Sequence, residues 1–574
     1  MHIDAVPNRS SRPTYLLRES YRDGKHVRKR TLANLSTLSD EQLESIRAAL
    51  SGKPVRQVGR IDELFQVVDS RAHGHVQAVL TAMRRLGFES LISPDPSPER
   101  DVVCAMVAAR VIEPNSKLAT QRWWHYTTIP DELGAVVKEA DEDVLYDAMD
   151  WLLERQQTIE KELAARHLRS GGLALYDLSS SYFEGTECPL AELGHSRDEK
   201  KGTLQVNYGL LTTRSGCPVA VSVYKGNTAD TKTLMPQISK LRNDFGLEQV
   251  VLVGDRGMIS HKAIGEMREL PGLFWITALK SVQIRSLIEG QTLQLGLFDE
   301  RSLFELSHDD YPGERLMACR NPELMKLRAN KRQELLRATQ KELEKVRASV
   351  QAGRLEGKDK IGVRVGRVIN KYKVAKHFEL NIEDRSLDFK VLEDKIAAEA
   401  ALDGVYVIRT NVSTEQMTAD DAVRNYKGLS EVERAFRSMK TVDLKVRPIR
   451  HRLEDRVRAH IFLCMLAYYV EWHMISVWRE LLFADEDLEA KLHRDPVAPA
   501  KRSANALRKI AEPRKFPDGS PVHSLRTLLQ ELGTIVRNTC VPRPAKAGAP
   551  SFDLYTTPNA TQERALQLLQ QITV

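Results

Sequence analysis

Apolar positions recur along this chain at two spacings, and the changes between them divide it. Over residues 61–165 they fall every three or four residues. That spacing predicts helices near 75–86, 100–111, 116–124 and 142–167, punctuated by Pro94, Pro96, Pro98, Pro114 and Pro130. From residue 172 they run together or alternate. This predicts strands near 173–178, 203–212, 218–224, 249–253, 273–278 and 405–409, with helices near 227–243 and 260–269 between them. Upstream, residues 14–21 and 26–32 flank Arg22-Asp23-Gly24-Lys25 and read as a hairpin, and Ser39-Asp40-Glu41-Gln42 opens a helix ending near Leu50.

Residues 321–352 predict one long charged helix, with Leu324, Leu327, Leu335, Leu343 and Val346 as its apolar marks. Residues 361–380 read as strands, because Val363, Val365 and Val368 interleave with Arg364 and Arg367. Residues 418–440 are helical with a break at Gly428, and 460–478 form an apolar helix that should bury fully. Residues 493–550, rich in proline and basic residues, predict an extended or loosely ordered tail.

The expected organisation is α/β: a mixed sheet covered by helices and interrupted by a basic α+β insertion. A mainly helical N-terminal region precedes it and a basic C-terminal tail follows. The segments are 1–60, 61–168, 169–280, 281–404 as the insertion, 405–492 and 493–574.

Composition narrows the function. Of 574 residues, 42% are hydrophobic and 28% charged, as in a folded, soluble protein. The longest apolar run, Ile461 to Val470, is half of what a membrane span needs, and the first residues contain no apolar signal stretch. Six dispersed cysteines with no CxxC pair give no sequence case for zinc or disulfides; they read as small buried hydrophobes in a reducing cytosol. The net charge of +7 is unevenly spread. Residues 1–60 carry +6, 321–380 carry +9 and 494–546 carry +7, which leaves −15 on the remainder. Separated basic segments on an acidic body point to an extended polyanion, nucleic acid above all.

Asp177 and Asp255 each end a short apolar strand. Strand ends of α/β sheets are where ligands bind, and paired carboxylates suit hard divalent cations. The bland alternative is a solvated turn aspartate. Glu433 is the third candidate. Seven-residue spacing stacks Tyr426, Glu433 and Lys440 on one helical stripe beside Leu429, Val432, Phe436 and Met439. Its bland alternative is a capping box, Ser430-x-x-Glu433. Glu184 and Asp230 read as a strand-end acid and a helix cap, His195 as a surface histidine, and Trp123-Trp124 as helix core.

Taken in order, Leu175 to Gly185, Gly194-His-Ser-Arg-Asp198, Gly226-Asn-Thr-Ala-Asp230, Val253-Gly-Asp255-Arg-Gly257 and Tyr426 to Lys440 resemble a bacterial insertion-sequence DDE transposase. The resembling group carries an insertion before the last acid and a Tyr-x2-Arg-x3-Glu-x6-Lys signature. The resemblance spans about residues 170–475. It implies a ribonuclease H-like core. It assigns the catalytic and metal-binding acids to Asp177, Asp255 and Glu433, converging with carboxylates about 4–8 Å apart around Mg²⁺, with Mn²⁺ as a substitute. It implies DNA partners (terminal inverted repeats and target), a homodimer or larger assembly on DNA, and a cytoplasmic, nucleoid-associated location. Tyr426 and Lys440 match the signature, but its Arg is Leu429 here, so that phosphate contact is open to Lys427, Arg434 or Arg437. Arg437, with Arg364, Arg367, Lys371 and Lys373 of the insertion, completes the expected DNA contacts. The rival readings are a nuclease without strand transfer and an inactive DNA-binding descendant.

Overall fold

The fold comes from a computed structural model. It describes residues 1–573 except 10–11, 25, 53–63, 199, 201, 300, 486, 488–493, 499–500 and 544–549, together with the side chain of Ala135. Strands β1 (His2–Val6), β2 (Thr14–Asp23) and β3 (His26–Asn34) form an antiparallel sheet, so the expected hairpin gains a third strand. Lys25 of its turn lies outside the described residues, as does the end of the first segment. Ser39 and Gln42 close a capping box on the Asp40–Leu50 helix.

β4 (Phe65–Ala72) precedes the expected helices, so residues 61–168 are not purely helical. The helix read over 142–167 breaks at Arg155 into Glu142–Glu154 and Gln156–His167. The central sheet comprises β5 (Leu173–Tyr182), β6 (Gln205–Thr213), β7 (Pro218–Lys225), β8 (Val250–Val253), β9 (Leu273–Ala278), β10 (Leu303–Leu306), β11 (Arg315–Arg320) and β14 (Val405–Thr410). Its order is β10-β11-β14-β9-β8-β5-β6-β7. β5, β8 and β9 run parallel, and the other pairs are antiparallel. The outer edge of β7 is closed by side chains: Glu160 accepts from Val221 N, while Gln156 and Arg458 donate to the carbonyls of Val221 and Val223.

Three expectations are corrected. The insertion does not stand wholly outside the sheet, because β10 and β11 extend it beyond β14. The part around the Pro322–Gln351 and Lys358–Tyr372 helices, with β12 (Phe378–Ile382) and β13 (Leu387–Val391), has its own core, built on Leu343, Val346, Ile361, Val365 and Phe378, while Ile284, Leu287, Phe298 and Leu316 form a second cluster shared with Val405 and Val407 of β14.

Residues 358–372 are helix, not strand. The apolar set is Ile361, Val365, Val368, Ile369 and Tyr372, a helical spacing, and Val363 of the apparent alternation is 58% exposed. Third, the C-terminal tail is folded over its described residues, with 493, 499–500 and 544–549 of the expected stretch lying outside them. β15 (Val536–Pro542) pairs with β4 and with β16 (Phe552–Tyr555), and the Leu525–Leu532 and Ala560–Leu568 helices bury Leu528, Leu529, Leu532, Ala565 and Leu568 in the main core.

The Glu454–Trp478 helix runs through that core, and every residue from Ala459 to Glu471 is buried. By length and composition it is apolar enough to cross a membrane, but 78% of its apolar window is buried inside the protein.

Candidate active site

β5 and β8 set the site. Their parallel register pairs Leu173 with Val251 and Leu175 with Val253. Two residues beyond the last pair stand Asp177, which lies midway along the ten-residue β5 and not at a strand end as expected, and Asp255, which lies just past the end of β8. Beyond Val253 the chain turns, with the N–H groups of Met258 and Ile259 both donating to Asp255 O at 3.0 Å. This frees Asp255 from the ladder and leaves its side chain exposed.

Glu433 arrives from the other direction. Val432, Ala435 and Phe436 of the Leu429–Arg437 helix are buried, with the Phe436 ring 5.7 Å from Tyr208 of β6. That packing turns Glu433 along the border of the buried face. Asp177, Asp255 and Glu433 line one cleft of about 380 Å³. The capping box does not form: the helix is capped at Gly428, with no side-chain cap hydrogen bond.

Burial pushes the Asp177 carboxyl up to about 7, against the bond it accepts from Leu178 N at 2.8 Å and the opposing pull of Arg197; the charges of Asp255 and Glu433 push it further up. Tyr426 donates from its hydroxyl to Asp255 Oδ1 at 3.3 Å, and burial and that carboxylate raise its phenol.

Cations line the same cleft: Arg197, Arg437, Lys440 and Arg447. Two motif glycines deliver the first of them. A Cβ on Gly194 would meet Gly226 O at 2.1 Å, and one on Gly226 would meet Gln205 O at 2.0 Å. Only glycine permits that approach, which lays the 194–198 loop beside the end of β5. There Ser180 accepts from Arg197 N and Asp198 accepts from Tyr182 N. Asp198, its side chain 1% exposed, pairs with Lys440 Nζ at 2.7 Å and with Arg447. Lys440 is 8% exposed, and burial lowers its ammonium while Asp198 opposes the shift.

Two known families match the chain. The family described as Transposase DDE domain matches residues 180–470, and the family described as IS1634 family transposase, N-terminal domain, matches residues 3–86. The first covers half of the chain. This chain belongs to the DDE transposase family, in the bacterial insertion-sequence group. No curated protein matches it. Among solved structures it is similar to a piggyBac transposase in a synaptic complex with hairpin DNA, at 10% identity over 83% of this chain and 81% of that one, with a TM-score of 0.32.

The remaining candidates sort plainly. Asp230 makes no cap bond; its carboxylate holds Arg197 at 2.6 Å, a correction to its reading as a cap. Glu184 pairs with Arg450 at the surface and His195 is exposed. Trp124 is fully buried, Trp123 packs on the core, and five of the six cysteines are buried. Lys427 reaches the Val497 carbonyl and Arg434 pairs with Glu431, so of the three stand-ins for the signature Arg only Arg437 lines the cleft. Arg364, Arg367, Lys371 and Lys373 are exposed on or beside the Lys358–Tyr372 helix, outside the cleft. Arg447 was not legible in the transposase sequence. It sits outside every motif, and only the fold brings it to Asp198.

Proposed function

We propose that the transposase cuts phosphodiester bonds at the ends of its insertion sequence and joins the resulting 3′-OH ends to target DNA, using divalent cations, Mg²⁺ first, held by Asp177, Asp255 and Glu433. The observation that carries this is the convergence of three carboxylates in one cleft with cations along its wall. The donor set fits: all three side chains line one cleft and offer oxygen, the ligand atom that hard divalent cations take. Bound there, Mg²⁺ supplies activation of the attacking oxygen and relief of charge on the leaving one.

The chain's own residues do the rest. Tyr426 fixes the orientation of Asp255 through its hydroxyl. Arg437, Lys440 and Arg447 bind DNA phosphates, the last two held by Asp198. Arg447 supplies a guanidinium contact that the signature loses at Leu429. The strand order β7-β6-β5-β8-β9, antiparallel over the first three and parallel over the last three, supports reading the core as ribonuclease H-like. Water and a DNA 3′-OH can attack in the same line, so hydrolysis and strand transfer are one displacement with two nucleophiles.

The test pairs Asp255→Asn with Glu433→Gln, assayed for end binding and for end cleavage in Mg²⁺. Each variant should bind ends like the parent and lose cleavage by roughly 10³-fold or more. Parent-like cleavage in both would overturn the mechanism.

A further inference from the structure

His167 closes the Gln156–His167 helix, Cys217 immediately precedes β7, and His473 lies in the Glu454–Trp478 helix. The fold brings these distant residues together: one ligand atom from each lies within 4.8 Å of the other two. Cys217 Sγ is 3.9 Å from His473 Nε2, and the two imidazole centroids are 5.7 Å apart. Cys217 and His473 are buried, while His167 is half-buried and leaves one side open.

We propose that His167, Cys217 and His473 form a Zn²⁺ site, separate from the acidic cleft, that pins the β6–β7 turn to the Glu454–Trp478 helix. Two imidazoles and a thiolate are ligands that zinc takes and that Mg²⁺ does not. Bonds of about 2.3 Å to sulfur and 2.0 Å to nitrogen span roughly 3.6 Å at a tetrahedral angle, close to the Cys217–His473 separation.

The competing account is a hydrogen-bonded core, and it leaves more unexplained. A thiol–imidazole contact of 3.9 Å is a weak bond for two groups so deeply buried. The surroundings also fix the donors. The Tyr469 hydroxyl is 2.9 Å from His167 Nε2, and Trp472 Nε1 donates to Ser215 O at 3.3 Å, which anchors the turn just before Cys217. On binding, Zn²⁺ replaces the Cys217 thiol proton, which leaves to solvent, and a water on the open His167 side completes four-coordination.

The test uses the full-length chain carrying Asp255→Asn, so that the acidic cleft competes less for metal. After chelator treatment the protein is titrated with Co²⁺. One equivalent should produce a thiolate-to-cobalt charge-transfer band in the near ultraviolet that Zn²⁺ abolishes. Zn²⁺ should also raise Tm. Both effects should vanish in Cys217→Ser and His473→Gln. Because the band is read first on protein with an intact trio, a variant that fails to fold does not blunt the test. Absence of the band at one equivalent, or its survival in Cys217→Ser, would overturn the site.

Discussion

Asp177 and His75 meet the same force with opposite results. Burial penalises whichever form is charged, so it lifts the Asp177 carboxyl to about 7 and drops the His75 imidazole to about 4. For Asp177 two further acids in the cleft add to the effect and Arg197 opposes it. For His75 nothing offsets it: Nδ1 has no hydrogen-bond partner, and the ring packs between Trp123 and Gly533. Its linkage sign follows. Between about 6.5 and about 4 the unfolded chain binds a proton that the folded chain refuses, so the stability held above pH 6.5 is lost as pH falls through that window. The loss is about 3 kcal/mol at most. Replacing His75 with Leu should therefore shrink the fall in urea midpoint between about pH 7.5 and about pH 4.5, which bracket most of that window. Equal falls in parent and variant would show that His75 does not carry the acid sensitivity.

Among the elements, the Lys358–Tyr372 helix departs furthest from its sequence reading and gains most from the correction. As a helix it presents Ile361, Val365 and Ile369 to its own small core. Lys360, Arg364, Arg367 and Lys371 then fall together on one exposed flank, because three- and four-residue steps return to the same side. A strand would have shared these charges with a buried face. A single basic flank is the geometry that tracks a phosphate backbone, so we expect Arg364→Gln, Arg367→Gln and Lys371→Gln together to weaken DNA binding. They should also flatten the plot of log affinity against log salt by up to about 2.7, near 0.9 for each phosphate no longer neutralised. An unchanged slope would leave these residues as surface charges only. By contrast, the break at Gly428 is where the sequence put it, between Ala419–Lys427 and Leu429–Arg437, and it directs Tyr426 to Asp255 from one helix while Glu433 comes from the next.

At the scale of the whole molecule, residues 65–85 and 535–572 fold together. β15 pairs with β4, the backbone N–H groups of His73 and Gly74 both donate to Ile535 O, and Arg85 donates to Ile572 O. Leu528, Leu529, Leu532, Leu568 and Leu569 are buried to 2% exposure or less. At about 1.5–3 kcal/mol per fully buried leucine, their loss would rival the roughly 5–15 kcal/mol total of an ordinary domain. Truncation after residue 524 is therefore expected to leave the helices of 74–167 open to limited proteolysis, whereas the full chain resists. Parent-like resistance in the truncated chain would mean that the C-terminal region merely lies on a self-sufficient fold.

Local features were legible in the sequence. Capping residues and apolar spacing marked most helices and strands, and motif order singled out Asp177, Asp255 and Glu433 as candidates, although Asp177 lies within β5 and not at its end. Each of these signals is carried by residues close together in the chain, where backbone geometry alone decides which side chains share a face. Long-range packing supplied the rest. It placed β10 and β11 in the sheet and folded the proline-rich tail onto the first helices. It also brought Arg447 to Asp198 and gathered His167, Cys217 and His473. Those outcomes depend on which apolar surfaces bury one another, and no spacing within a single segment encodes that choice. The misreading of 361–372 shows the boundary from the other side: a short β-branched run supports both periods, and only the core waiting for Ile361, Val365 and Ile369 selected the helix, whereas the strand expected at the end of that stretch forms as β12.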